Sequence, residues 1–445
     1  MPLSRTYIAD HLVNKKVTIA PLVTFRVLFG LLMLVSVIRF WVNGWIHALY
    51  VAPKVYFPFI EGIQPLSGTG MYFVFAALAL FAAFIAFGLC YRISAISFFL
   101  LFTYVELIDK SNYLNHYYFV SLIGFLLIWL PANGDFSLDV KLGLRKKLDL
   151  IPIGFINILK FQVGVLYLFA GIAKINPDWL LRAQPMKMWL SANAYKPVVG
   201  WLFRYKITAF GLSWIGMIYD ITIPFFLSKR STRFIAYAGV VLFHLMTWWL
   251  FPIGMFPFIM IAITTIYFSP ETHDRWLTAL KHLFRWQSRS ENGQYLFNQP
   301  LKFIFAAFVV LQVILPMRYL AYPGDLFWTE QGYRFSWRVM LMEKAGQATF
   351  FVSDQGKEGE SVVANYEHLT PQQEKMMATQ PDMIVQFARK LETIYLKNGM
   401  SDPVVRAEVY VTLNGRPSRL FINPHTDLTE VKNDWSHKDW VLAND

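Results

Sequence analysis

Three ionisable side chains stand inside or at the edge of long apolar runs, where a charge is costly and marks a candidate functional site. Lys174 closes the run QVGVLYLFAGIAK ahead of INPDW, His116 opens the apolar part of DKSNYLNHYYF, and His244 lies within VVLFHLMTWW. Removing an amine from water disfavours its charged form, and a neutral amine can accept a proton at about pH 7. Lys174 is therefore a candidate general base. His116 and Asn115 would be preorganised donors to an oxyanion or quinol oxygen. The surrounding aromatic rings would form an apolar pocket for a lipid-soluble cofactor. Each residue has a plainer alternative: Lys174 snorkelling to headgroups, His116 in an interfacial aromatic belt, His244 as a hydrogen-bonded packing residue.

Further charges at membrane depth are Arg26, Arg39, Glu106, Asp109 and Asp220, and pairing among them is their expected role. Other chemistries find little support. There is no GxSxG, HExxH or CxxC and no Gly-rich phosphate loop. Cys90 is the single cysteine, so neither an intrachain disulfide nor a thiolate cluster can form. His425 and His437 lack metal-ligand spacing.

The elements that must position these residues are membrane helices. Of 445 residues, 56% are hydrophobic, 17% aromatic and only 16% charged, against about 25% charged in soluble domains. A span needs about 20 mostly apolar residues. Nine candidates lie near 20–42, 69–90, 92–108, 115–131, 154–175, 207–228, 233–251, 254–268 and 301–320. The runs FVFAALALFAAFIAFGLCYR and ISAISFFLLFTYVELI also read as one re-entrant pair. The net charge of +12 is spread between the apolar runs, so it reads as topology and not as a nucleic-acid surface.

Cytoplasmic loops collect Lys and Arg. With the N-terminus inside (Arg5, Lys15, Lys16), the inner loops hold Arg92; Lys141, Arg145, Lys146 and Lys147; Lys229, Arg230 and Arg233; and Arg275, Lys281, Arg285 and Arg289. One outer loop, with Lys187, Lys196, Arg204 and Lys206, breaks the pattern. Nine spans then put the C-terminal part outside, and Lys174, His116 and His244 all in the outer half of the bilayer. The polar, basic N-terminus lacks the pattern of a removable signal peptide.

The expected fold is thus a helical membrane domain over 1–320 and an extracytoplasmic α+β domain over 321–445. Within the former, DRWLTALKHLFRWQ reads as a helix lying on the membrane surface or, equally, packed on protein. In the latter, PDMIVQFARKLETIYLKNG sets Met383, Ile384, Phe387, Leu391 and Ile394 on one helical face. VRAEVYVTLNGRPSRLFI alternates up to Asn414-Gly415, a hairpin signal, and RFSWRVMLMEKAGQATFFVSD suggests a second hairpin.

At these residues the chain resembles the vitamin K-dependent gamma-carboxylases. The resemblance rests on FRVLFGLLM, GLCYRIS, DKSNYLNHYY, FAGIAKINPDW, FHLMTWWLFPIGMF and TEQGYRFSW, in order, and continues through DPVVRAEVYVTLNGR. It implies that Lys174 is the catalytic base, with His116 and Asn115 supporting the reactive intermediate. It places the cofactor among His244, Met255 and Trp179, and the glutamate-receiving region at Gln331, Tyr333 and Trp337. The implied cofactors are vitamin K hydroquinone, or a menaquinol, with O2 and CO2. Deprotonated hydroquinone adds O2 and forms an oxygenated base on the way to the epoxide; that base removes a γ-hydrogen from a protein glutamate, and CO2 traps the carbanion. A weak amine cannot remove that proton directly, so cofactor oxidation must generate a much stronger base in a dry site.

Two departures bear on substrate. Ala173 stands where vertebrate-type members have a second lysine, and Gln331-Gly332-Tyr333 runs almost directly into Phe335-Ser336-Trp337 without their longer insertion. The compact chain is similar to a bacterial-type, inner-membrane member. The implied partners are a Glu-containing peptide or protein and the lipid bilayer, with no nucleic acid. Two other functions remain open: quinol epoxidation without protein carboxylation, and a non-catalytic membrane scaffold or transporter, for which no inverted hydropathy repeat is visible.

Overall fold

The computed structural model describes residues 13–287, 293, 295 and 297–444. Two cations used for topology, Arg5 and Arg289, lie outside the described residues. All nine apolar segments are helical, as α1 (Ala20–Val42), α2 (Gly70–Phe87), α3 (Tyr91–Leu107), α4 (Asn115–Trp129), α5 (Gly154–Ala173), α6 (Lys206–Ser228), α7 (Arg233–Leu250), α8 (Phe256–Thr264) and, after α9 (Pro270–Leu283), α10 (Gln299–Met317). Among the described residues, six are long and apolar enough to cross a membrane: α1, α2, α5, α6, α7 and α10 with its following turn. The segments at α3, α4 and α8 are shorter, so the helical architecture holds while a count of nine spans exceeds what length and composition supply.

Helices α1 to α5 share one core of aromatic and aliphatic side chains, with Phe25, Phe29, Phe98, Phe119 and Phe155 fully enclosed. The two closely spaced runs are separate helices that fold back on each other at Gly88, whose φ of 64° caps α2 in the left-handed region. Close approach between helices is set by glycine. A Cβ at Gly171 of α5 would lie 2.8 Å from the backbone nitrogen of Ile221 in α6. No larger residue fits there without moving a helix.

Helix α9 packs on α1. His273 touches Thr24 Oγ1 at 2.6 Å and the Thr265 carbonyl at 3.0 Å, and Leu277 is buried. It therefore packs on protein along one face, while Leu283 and the neighbouring Phe284 are exposed.

After residue 320 the chain forms a four-stranded antiparallel sheet in the order β4-β3-β5-β6, following a small N-terminal pair, β1 (Lys16–Thr18) with β2 (Leu150–Pro152). Strands β3 (Lys344–Asp354) and β5 (Pro403–Leu413) pair over their full length, whereas β4 (Ser361–Val362) and β6 (Arg419–Leu420) are two residues each. Two helices follow β4: α11 (Pro371–Met377) and α12 (Pro381–Lys397). The latter buries Met383, Ile384, Phe387 and Leu391 as its spacing predicts, against Phe350 and Val409 of the sheet.

Of the two hairpins expected, the first forms and the second does not. Asn414 and Gly415 do turn with positive φ, but Val411 pairs with Arg419, so the loop is longer than two residues. The second hairpin does not form over its predicted span. Phe335, Trp337 and Met340 take left-handed φ, which a strand ladder cannot accommodate. Their alternating apolar pattern instead seats this loop on the helical bundle, where Phe335 meets Tyr113 and Trp337 stacks on Tyr118.

Candidate functional site

Helix α5 stops because Asn176 precedes Pro177, and the residue before proline is disfavoured in the helical region. Asn176 caps the following turn by accepting from the Trp179 backbone N–H at 2.9 Å, and Lys174 becomes the C-cap residue of α5. Its amine turns inward and is 6% exposed. It does not snorkel. The Nζ donates to Asp220 Oδ2 at 2.7 Å and to the Ala170 carbonyl at 3.2 Å, over the face of Trp179 at 5.5 Å. The expected isolated amine is therefore an ion-paired one. The contact depends on Gly171, one turn before Lys174, letting Asp220 and Ile221 of α6 come close.

This revises the roles expected for the other buried charges. Among the described residues, Arg26, Arg39, Glu106, Asp109 and Asp220 form no ion pair with one another. Arg26 donates to the Phe136 carbonyl, Glu106 accepts from Ser121, and Asp109 accepts from Gln373 at 2.8 Å. Asp220, treated at first as one of several pairing charges, is the partner of the candidate base.

His116 sits in the first turn of α4, 9% exposed, its ring against Tyr117 at 4.6 Å and Phe256 at 5.7 Å. The preceding DKSN segment is fixed from above, since Lys110 pairs with Asp382 of α12 at 2.9 Å. Asn115 donates to the Arg338 carbonyl at 2.9 Å and accepts from the Tyr113 hydroxyl at 3.2 Å. His244 in α7 meets the Tyr167 hydroxyl at 2.8 Å through Nε2, while its buried Nδ1 has no partner.

These groups line one cavity of about 940 Å³. Lys174, His116, Asn115, His244, Met255 and Trp179 all reach it, as do Asp220 and Tyr167, and much of the remaining wall is apolar, including Phe40, Leu166, Phe243 and Phe256. The size and apolar lining, together with the orphaned His244 Nδ1, fit a ring-bearing lipid-soluble molecule with polar oxygens. Trp179 is held by its own bond, Nε1 to the Ser213 carbonyl at 2.7 Å.

Gln331, Tyr333 and Trp337 lie away from the cavity lining. Gln331 is held by the Ser436 carbonyl at 3.0 Å and by His437 at 2.9 Å, Tyr333 packs near Phe327, and Trp337 is enclosed against Tyr118. Their neighbours Val339 and Met340 form the wall there. The loop after Lys174 is anchored to the C-terminal part by Asp178, which accepts from Asn414 at 2.8 Å and Arg416 at 2.7 Å.

The HTTM domain family matches residues 14–272 of the chain, which span α1 to α8 and so include the helices that line the cavity. The lumenal domain of vitamin K-dependent gamma-carboxylase matches residues 297–445. No solved structure matches the chain.

Proposed function

The chain belongs to the vitamin K-dependent gamma-carboxylase family, and on that premise we propose that it is a quinol-dependent glutamyl carboxylase working from the Lys174 cavity. One observation carries the proposal: a buried Lys174–Asp220 pair opens onto the same apolar cavity as His116 and His244. When bound there, a vitamin K hydroquinone or menaquinol supplies, with O2, the strong base that takes the γ-proton of a glutamyl side chain before CO2 adds. The pair takes up the phenolic proton in the initiating step: with its own proton passed to Asp220, Lys174 is an uncharged amine that can accept it. The resulting ammonium stays hydrogen-bonded to Asp220 and is the counter-ion of the quinol anion, which a dry site makes effective. His116 faces the cavity as the donor to an oxygen, and Asn115, fixed through Arg338 and Tyr113, orients the start of α4. The aromatic wall excludes water that would quench a strong base.

In this reading the N-terminus is cytoplasmic, and the cavity and C-terminal part face the other side of a bacterial inner membrane. That orientation needs the three shorter helices α3, α4 and α8 to cross as well, and the loop cations of the sequence support it.

Purified protein given reduced vitamin K, labelled CO2 and a Glu-containing peptide is expected to yield epoxide and fixed label, both lost in Lys174→Ala. Epoxide without label would instead favour a quinol epoxidase, a reading supported by Gln331, Tyr333 and Trp337 not being among the residues that line the cavity. Absence of epoxide from the unaltered protein would leave a non-catalytic scaffold or transporter.

A further inference from the structure

The cavity wall carries three charged side chains: Arg39, Lys174 and Asp220. Lys174 and Asp220 neutralise each other at 2.7 Å. Arg39 is left over. It stands in the last turn of α1, with its guanidinium over the Trp45 ring at 4.5 Å. Among the described residues, no hydrogen bond or ion pair is made by that guanidinium. The turn before α8 runs beside it: a Cβ at Gly254 would come within 3.7 Å of Nη1, and Gly254 has a φ of +63°. Two residues on, the Phe256 ring meets His116 at 5.7 Å. Arg39 therefore lies on the His116 side of the cavity.

A cation on an apolar wall is stabilised only weakly by a ring face where solvent reaches it, and only weakly by the helix C-terminus. Neither supplies a hydrogen-bond acceptor for five N–H donors. A planar guanidinium with free donors matches a carboxylate bidentately. The quinol, neutral or as its anion, already has Lys174 as a partner, so Arg39 answers to a second ligand of opposite charge.

We propose that Arg39 is the anion-binding group of the cavity and receives a carboxylate, that of a glutamyl side chain. The glutamyl source rests on the function proposed above; the carboxylate site itself does not. Arg39 would thereby take over the role that Gln331, Tyr333 and Trp337, outside the cavity lining, do not fill. It holds the carboxylate on the His116 side, leaving the methylene next to it turned toward the cofactor space.

The test uses full-length protein in nanodiscs and calorimetric titration, which reads binding without turnover. The probes are N-acetyl-glutamate amide, its glutamine isostere and bicarbonate. The glutamate probe is expected to bind and the glutamine isostere not. Arg39→Gln should weaken the glutamate probe by about 10- to 100-fold, as expected for a charge-assisted pair, and Arg39→Lys should fall between. If Arg39→Gln does not fold, the contrast between the two isosteres and the Arg39→Lys variant still decide the matter. Equal binding of glutamate and glutamine probes, unchanged affinity in Arg39→Gln or Arg39→Lys, or displacement of the glutamate probe by bicarbonate at equal concentration would each overturn it. Epoxide formation is measured separately on the unaltered protein. Its absence alongside Arg39-dependent carboxylate binding would sink the quinol chemistry and leave this site standing.

Discussion

Two buried lysine–aspartate pairs of similar geometry sit in different surroundings. Lys174–Asp220 spans 2.7 Å with side chains 8% and 8% exposed, and Lys110–Asp382 spans 2.9 Å with side chains 8% and 20% exposed. The second pair is saturated: Asp382 also takes Arg334 at 2.7 Å, and Lys110 reaches Gln386 at 3.1 Å. It clamps the start of α4 to α12 and borders no part of the cavity. The first pair has fewer partners and faces open apolar space. Burial and pairing alone therefore do not mark chemistry. An unsaturated pair beside a ligand-sized cavity is the stronger candidate.

The comparison can be broken in several ways. Lys174→Ala should reduce epoxide formation by about 10²- to 10⁴-fold, the usual contribution of a positioned base, whereas Lys110→Ala should act chiefly on stability. Epoxide assays on both variants, normalised to folded protein, check this; equal losses would make the two pairs equivalent.

For stability the order reverses. Lys110→Ala leaves a buried carboxylate with one of its two cations gone, and a cost of about 3 kcal/mol is expected from breaking such a pair. A drop in the unfolding midpoint of the purified protein reads it out.

Asp220→Asn keeps the shape and removes the counter-ion, so epoxidation should fall by about 10- to 100-fold, the scale of one lost preorganised electrostatic contact. Combined with Lys174→Ala it should add nothing further, because the two residues act as a unit. An additive double variant would separate Asp220 from the base.

Gly171→Ala pushes a Cβ into the Ile221 backbone. It is expected to cost about 1–3 kcal/mol and to lower epoxidation by roughly 10-fold through displacement of Asp220. Paired thermal and activity measurements test both effects.

The smallest effect is expected in acid. Burial raises the Asp382 carboxyl, but Arg334 and Lys110 more than offset this and hold it well below its usual 3.8. A carboxylate with a depressed folded value stabilises fully above its unfolded value and loses that contribution as pH falls through the folded one. Unfolding midpoints of the native protein and Asp382→Asn should therefore differ most above pH 3.8 and converge below it.

Much of the site was legible because an ionisable residue in an apolar run has few unremarkable explanations. Lys174, His116 and His244 stood out on that ground, and all three face one cavity. Asp220 and Arg39 carried the same signal but were assigned to mutual pairing, since partners 46 residues apart, such as Lys174 and Asp220, leave no periodic trace. The segment from 334 to 342 reads as a strand from sequence because aromatic alternation is the same whether a chain pairs as a strand or lies on a bundle. Its left-handed residues, unmarked by glycine, decide the matter.

The sequence by itself determined where the helices lie, that the chain after residue 320 turns to mixed sheet and helix, and which side chains would be costly to bury. These follow from apolar run length and local periodicity, which are properties of neighbours along the chain. Only the tertiary structure decided which acid faces Lys174, which cation is left without a partner, and which part of the C-terminal region reaches the cavity. Each depends on how closely two distant helices approach, and that is set by single contacts such as Gly171 against Ile221.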